Sequence, residues 1–290
     1  MTLLPHPIIH HPFKYQFGFF GFTGFGIAIL LCFLVGQAVA QRELARRGID
    51  PEPVGDMIFA AVVGGLLGAK LYYVVILGHW DSIFDRGGFV FWGGLLGGTL
   101  GVMAVVVKKR FGLLRMFDVS APAIAAAYAV GRTGCWAVGD DYGRPWTGFL
   151  AVAFPDGAPP STAGMMAHEF GVIPPAGATL STVLSVFPTQ LYEVVLGLVM
   201  FAILWRLRDH KHAEGWLFGV YCVLAGAERF VIEFFRAKDD RFVVGLTYAQ
   251  LIALAFVAVG VVWMVWRSRV GPGKPGIYAV ASDDASMVLP

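Results

Sequence analysis

Charge is what this sequence has least of. Only 14% of its 290 residues are Asp, Glu, Lys or Arg, against roughly 25% in a soluble domain. With 57% hydrophobic residues and a mean hydropathy of +0.68, the shortage excludes an ordinary soluble fold. Cysteine is scarce too. Cys32, Cys135 and Cys222 all lie in apolar stretches. Their odd number speaks against a disulfide framework and leaves them as small hydrophobes. The first residues do not read as a signal peptide either. Residues 1–17 carry His6, His10, His11 and Lys14, and the first long apolar run starts only near Gly18, so the first span is expected to stay in the protein. There is no nucleotide-type glycine loop and no nucleic-acid feature, so no nucleic-acid partner is expected. Neither internal repeats nor paired broken helices appear, which argues against a repeat-built transporter.

What is present is a series of apolar segments long enough to cross a bilayer, about 20 residues each. There are seven: 18–40, 57–77, 88–107, 118–136, 188–205, 215–235 and 244–266. The expected fold class is an all-α integral membrane protein of seven transmembrane helices. With the N-terminus outside, the inner segments hold 13 of the 22 Lys and Arg, the outer ones 6, and Lys70, Arg132 and Arg229 fall inside spans. The inside excess predicts N-terminus out and C-terminus in. The expected organisation is an outer N-terminal segment 1–17, a membrane domain 18–266 with an irregular outer head at 137–187, and an inner tail 267–290. A short amphipathic piece is expected around 162–170. The tail is Gly/Pro-rich from Gly271 and reads as disordered.

The chemistry gathers in Val130 to Gly143. Arg132 closes the fourth span, and Asp140 and Asp141 follow among Gly131, Gly134, Gly139 and Gly143. Charges at membrane depth are costly and mark functional sites. Arg229 lies seven residues before Arg236, roughly 10 Å along a helix, so both intramembrane arginines fall in the outer half of the bilayer. A guanidinium fork suits phosphate, which suggests an anionic lipid head group. The other reading is an internal salt bridge to Glu228, Glu233, Asp140 or Asp141. Arg229, Glu233 and Arg236 have the spacing of one helix face, with Glu233 orienting the arginines.

Pro188 to Glu193 opens the fifth span. There Gln190 and Tyr192 are hydrogen-bonding candidates, and Glu193 complements the helix N-terminus. Asp118 reads as a helix cap. Gly93 and Gly94 sit in a glycine-rich span, where they either let helices approach closely or line a lipid groove. Cys135 is one turn from Arg132, but buried cysteines are usually inert. The histidines at 6, 10 and 11 lack a further ligand, and His168-Glu169 is isolated. No metal and no cofactor are expected.

With these residues collected, the chain resembles the prolipoprotein diacylglyceryl transferase family over about residues 18–266. The family's Gly-Arg-x-Gly-Asn signature, with its following acidic residue and glycine, is similar to Gly131-Arg132-Thr133-Gly134-Cys135 through Asp140 and Gly143. Its His-Gly-Gly element is similar to Trp92-Gly93-Gly94. Its Pro-Ser-Gln-Leu-Tyr-Glu element is similar to Pro188-Thr189-Gln190-Leu191-Tyr192-Glu193, and its Arg-x-x-x-Glu-Phe-x-Arg element to Arg229–Arg236.

The resemblance implies a bacterial inner-membrane enzyme that moves the diacylglyceryl group of phosphatidylglycerol to the lipobox cysteine of a prolipoprotein signal peptide, releasing glycerol phosphate. It implies Arg132 and Arg229 as the catalytic arginines; with Trp92 in place of the family histidine, the expected base is Asp140 or Asp141, or the thiol needs none beyond the electropositive site. Gly93, Gly94, Gln190, Tyr192, Glu233 and Arg236 are implied as binding residues. The departures are Trp92 and Phe187 for histidines, Cys135 for asparagine, Asp140 for glutamate, and Ala225 and Thr23 for tyrosines. They define a divergent member, and the alternative is a paralogue that binds anionic phospholipid or lipoprotein without transfer.

Overall fold

A computed structural model describes residues 8–17, 20–84, 88–237, 241–243 and 245–271. His6, Arg86, Lys238 and the tail 272–290 lie outside them. Among the described residues eight α-helices dominate: α1 (Gly24–Arg46), α2 (Pro53–Leu77), α3 (Phe91–Lys108), α4 (Leu113–Val138), α5 (Ala163–Phe170), α6 (Thr189–Leu207), α7 (Trp216–Ile232) and α8 (Tyr248–Arg269). Six of them, all but α5 and α7, are long and apolar enough to cross a membrane. The chain is a multi-pass, mainly helical membrane protein. Its outward surface agrees, with Leu30, Phe59, Val75, Leu100 and Val262 all exposed; such side chains are at home in lipid.

The termini of these helices follow from local chemistry. Thr23 caps α1 by accepting from Gly26 N, and Pro53 stands in the first turn of α2. Gly78 and Gly139 end α2 and α4 in the left-handed region, at φ +70° and +68°. α8 begins with a full capping box between Thr247 and Gln250.

The first span starts later than its hydrophobicity predicts. The strands β2 (Lys14–Phe17) and β3 (Phe20–Thr23) pair as an antiparallel hairpin there, and Thr23 starts the helix only at Gly24. The head is also more ordered than its Gly- and Pro-rich composition predicts. β1 (Ile8–Ile9), β4 (Val152–Ala153) and β5 (Ser185–Val186) form a three-stranded sheet in the order β1-β4-β5. It covers a core of Tyr142, Val152, Phe154, Met166, Leu184 and Val186. The N-terminal segment therefore belongs to the head. The amphipathic piece expected around 162–170 is α5, capped by Thr162.

Small residues set the helix seams. Gly64 and Gly68 of α2 lie directly on the backbones of Gly97 and Gly93 of α3. Gly134 meets Ala28 of α1, Gly197 of α6 meets Ala129 of α4, and Gly219 meets Gly260 between α7 and α8. Close backbone approach of this kind drives helix association in lipid. α4 is the central helix. Half of its apolar window is buried, 50%, where the other spanning helices bury 17–28%.

Candidate functional site at the head end of the bundle

The site grows from the end of α4. Gly139 stops the helix, and Gly139 N and Asp140 N both turn back to Cys135 O. The chain then passes between two neighbours: Gly143 N donates to Phe187 O at 2.8 Å and Arg144 N to Phe235 O at 2.9 Å. A side chain at Gly143 would strike Phe235 O and Phe187 Cβ, which accounts for the glycine. Asp141 itself is left-handed, φ +54°, a conformation that aspartate tolerates better than most residues. The start of α6 holds the loop there. Thr189 Oγ1 donates to Asp141 O at 2.6 Å and Gln190 Nε2 to Asp140 O at 2.5 Å.

Held this way, Asp141 receives two arginines. Arg132 Nη1 donates to Asp141 Oδ2 and Arg236 Nη2 to Asp141 Oδ1, each at 2.8 Å. Arg132 Nη2 lies 2.9 Å from Glu193 Oε1, and Arg229 Nη1 lies 3.9 Å from the same oxygen. Arg229 Nη2 is 2.8 Å from Glu233 Oε2, and Arg236 Nε is 3.8 Å from it. The result is one closed ring of ion pairs, Arg132–Glu193–Arg229–Glu233–Arg236–Asp141. The salt-bridge reading of the arginines holds for Asp141 and Glu233, Glu193 is a third partner outside it, and Asp140 and Glu228 form no ion pair among the described residues; the paired carboxylates hold the three guanidinium groups together. Arg229 is the most open of them, with 32% of its side chain exposed against 16% for each of the other two.

The two aspartates differ. The Arg236 and Arg132 guanidinium groups beside Asp141 outweigh its burial and hold its carboxyl below the usual range. Burial pushes Asp140 up to about 6, and the Asp141 charge adds to that rise. Asp140 Oδ1 is buried without a hydrogen-bond partner. Asp140 is therefore the better proton acceptor. One ligand atom each from Cys135, Asp140 and Asp141 lies within 4.8 Å of the others. Arg132 Nη1 reaches into the same space, 3.6 Å from Cys135 Sγ and 2.8 Å from Asp141.

Several expected residues sit differently from the sequence reading. Arg236 is not on the helix face of Arg229: α7 ends at Ile232, and Arg236 is carried by a bridge to Gly143. Glu193 does more than complement a helix end, being fully buried and paired with Arg132. Gln190 is buried as well and braces the loop. Tyr192 is half-buried, edge-on to Phe235. Gly93 and Gly94 face α2, where Gly68, Tyr72, Gly65 and Ala69 lie against them, so close helix packing accounts for both. Phe187 is stacked on Trp146 at 4.3 Å, and Trp92 is exposed. Asp118 is a cap, but of α7 rather than of its own helix, accepting from Gly215 N at 2.7 Å and Phe218 N at 3.1 Å.

The residue that sequence reasoning missed is Tyr128. Its hydroxyl donates to Glu228 Oε1 at 2.8 Å and stands 3.4 Å from Glu193 Oε1. Its ring lies 5.4 Å from the Arg132 guanidinium carbon. The signal was its place one turn before Arg132 on α4.

A sequence model of the family described as prolipoprotein diacylglyceryl transferase matches residues 12–266. The chain belongs to that family. It is 30% identical over 283 residues to the phosphatidylglycerol–prolipoprotein diacylglyceryl transferase of Geobacter sulfurreducens, covering 90% of this chain and 97% of that protein. The protein of the same name from Paraburkholderia xenovorans is 29% identical over 311 residues, with 97% and 100% covered. The one from Clostridium tetani is 28% identical over 245 residues, with 82% and 90% covered. Membership makes the chain a transferase of lipoprotein biosynthesis, and the arginine ring lies inside the matched region.

Proposed function

We propose that this transferase moves the diacylglyceryl group of phosphatidylglycerol onto the lipobox cysteine of a prolipoprotein signal peptide. The observation that carries the reading is the cluster of Arg132, Arg229 and Arg236 at the head end of an apolar bundle. The thiolate sulfur attacks the glyceryl carbon, the carbon–oxygen bond to phosphate breaks, and glycerol phosphate leaves with the electron pair. The phosphate gains a second negative charge in that step. Donors fixed where charge develops stabilise the transition state, and Arg132 and Arg229 have that role. Glu233, Arg236 and Asp141 orient them. Asp140 accepts the thiol proton, Gln190 keeps Asp140 in place, and Tyr192 borders the lipid. Gly93 and Gly94 keep the α2–α3 pair thin beside the bound acyl chains.

In this reading α7 is the seventh span. It has 17 residues, and the turn through Phe234 and Phe235 extends its apolar length. The Lys and Arg asymmetry supports an outside N-terminus, an inside C-terminus at the end of the tail 267–290, and a periplasmic head at 137–187 in the bacterial inner membrane. The head then receives preproteins from the side on which they emerge.

Incubating the full chain with a lipobox peptide in phosphatidylglycerol vesicles tests this directly. A thioether-linked diacylglyceryl peptide is expected from the wild type and not from Arg132→Ala. Lipid binding without any modified peptide would instead identify a binding paralogue.

A further inference from the structure

The charges around Arg132 do not balance. Three guanidinium groups, on Arg132, Arg229 and Arg236, meet the carboxylates of Asp140, Asp141, Glu193, Glu228 and Glu233. A phosphodiester anion entering this cluster adds negative charge to a site that already has an excess of it. Poorly solvated charge of one sign is costly. Uptake of one proton with the anion removes the extra charge.

The geometry narrows where that proton goes. Asp141, Glu193 and Glu233 each have a guanidinium nitrogen within 2.9 Å. Asp140 is the base in the reading above and must remain free to accept the thiol proton. Glu228 has no ion pair among the described residues. Its partner is the Tyr128 hydroxyl, at 2.8 Å.

We propose that Glu228 takes up the proton that balances a bound phosphodiester, and that the Tyr128 hydroxyl links it to the arginine ring. This rests on the phosphate-binding reading of the site. The Tyr128 O–H donates to Glu228 Oε1, and Glu193 Oε1 stands 3.4 Å away. A proton from water then binds Glu228, whose O–H donates to Tyr128 Oη. The Tyr128 O–H is freed to donate to Glu193. Glu193 thereby keeps a donor as Arg132 turns toward the phosphate. The Glu228 O–H bond forms as the donor bond of hydronium or the buffer acid breaks, leaving water or the buffer base, and no other covalent bond changes.

The ring of Tyr128 is seated for this task. It lies under the Arg132 guanidinium and against Gly197 of α6, where a Cβ would come 3.0 Å from Tyr128 Cδ1. The groups that face Glu228 are Tyr128 and Arg132 from α4, Glu193 from α6, and Tyr221, Arg229 and Arg236 from its own segment. From α8, Gln250 is engaged with Thr247 N and Phe230 O. Tyr128 and Glu228 are positioning residues here, since neither touches the reacting atoms.

Calorimetric titration of phosphatidylglycerol into the full chain in detergent, in two buffers of different protonation enthalpy and over a range of pH, counts the protons. The wild type is expected to take up about one proton per lipid, with Kd rising about tenfold per pH unit where Glu228 is ionised in the free protein. Glu228→Gln presents an amide donor to Tyr128 and mimics the protonated state. It is expected to take up no proton and to bind with a pH-independent Kd near the low-pH value of the wild type. Tyr128→Phe keeps the ring and is expected to weaken binding at every pH.

A wild-type proton count and slope in Glu228→Gln would overturn the proposal. So would a count abolished by Asp140→Asn alone, or wild-type binding by Tyr128→Phe. Failure of the phosphate reading looks different: Arg132→Ala would then bind phosphatidylglycerol as tightly as the wild type.

Discussion

Both ends of the helix bundle bury ionic groups, and they bury them in opposite ways. At the end away from the head these groups have structural roles among the described residues. Asp118 is fully buried and both of its oxygens accept from the first turn of α7. Glu43, equally buried, accepts from Arg46 and Arg47, and Arg46 also binds Asp209. Arg267 Nε donates to Glu214 O at 2.7 Å. These groups tie helix ends together and leave their carboxylates fully used.

At the head end the carboxylates outnumber the arginines. Asp140 and Glu193 keep buried oxygens without partners, and Arg229 stays partly open. One end is a clasp; the other, in the proposed reading, receives a phosphate at its arginines together with a proton on the surplus carboxylates. Saturated pairs stabilise a fold. Here the partly open Arg229 can still reach an anion, and the spare carboxylate oxygens can still take a proton.

That contrast can be broken by mutation, and the largest effect belongs to the head end. Arg132→Ala strands buried Glu193, so unfolding in detergent is expected to lose about 3–5 kcal/mol. Adding Glu193→Gln removes the stranded charge and is expected to recover part of the loss; no recovery in the double variant would mean that the pair is not coupled.

Asp140→Asn is next. It leaves the ion-pair ring intact and is expected to slow transfer by about 10²–10⁴-fold. The base works only when deprotonated, so the wild-type rate is expected to rise with pH through about 6. Rate profiles of the two proteins check both points, and a wild-type profile that is flat through this range would remove Asp140 from the role.

Asp118→Ala probes the far clasp. It is expected to lower stability by about 1–2 kcal/mol while transfer per folded molecule stays unchanged. A rate loss without a stability loss would erase the distinction between the two ends. The smallest effect is expected at Lys109–Asp56, whose side chains are 44% and 60% exposed. Breaking that pair with Asp56→Asn is expected to change stability by less than about 1 kcal/mol.

The sequence carries much of this because lipid makes its rules strict. Apolar length places six helices, and the cost of charge at depth singles out Arg132 and Arg229 before any partner is known. Interdigitating glycines foretell the α2–α3 seam. The rest is hidden by chain separation. Glu193 meets Arg132, and Asp118 caps α7 97 residues away at Gly215; no local pattern announces either contact. Tyr128 reads as an ordinary aromatic in an alanine-rich helix until α6 and α7 bring Glu193 and Glu228 to its hydroxyl. The head sheet escapes notice because its strands have two residues each, too short for any alternation. Arg236 is misread because helical spacing continues after α7 has ended.

The central claim is that the arginine ring holds the phosphate through the transfer step. Its most direct measure is the initial rate of diacylglyceryl transfer to a lipobox peptide in phosphatidylglycerol vesicles, per folded molecule, for Arg132→Lys. Lysine keeps the charge and loses the planar fork. A loss of about 10²–10³-fold is expected, with Asp118→Ala alongside at the wild-type rate. An Arg132→Lys variant that transfers as fast as the wild type would contradict the account.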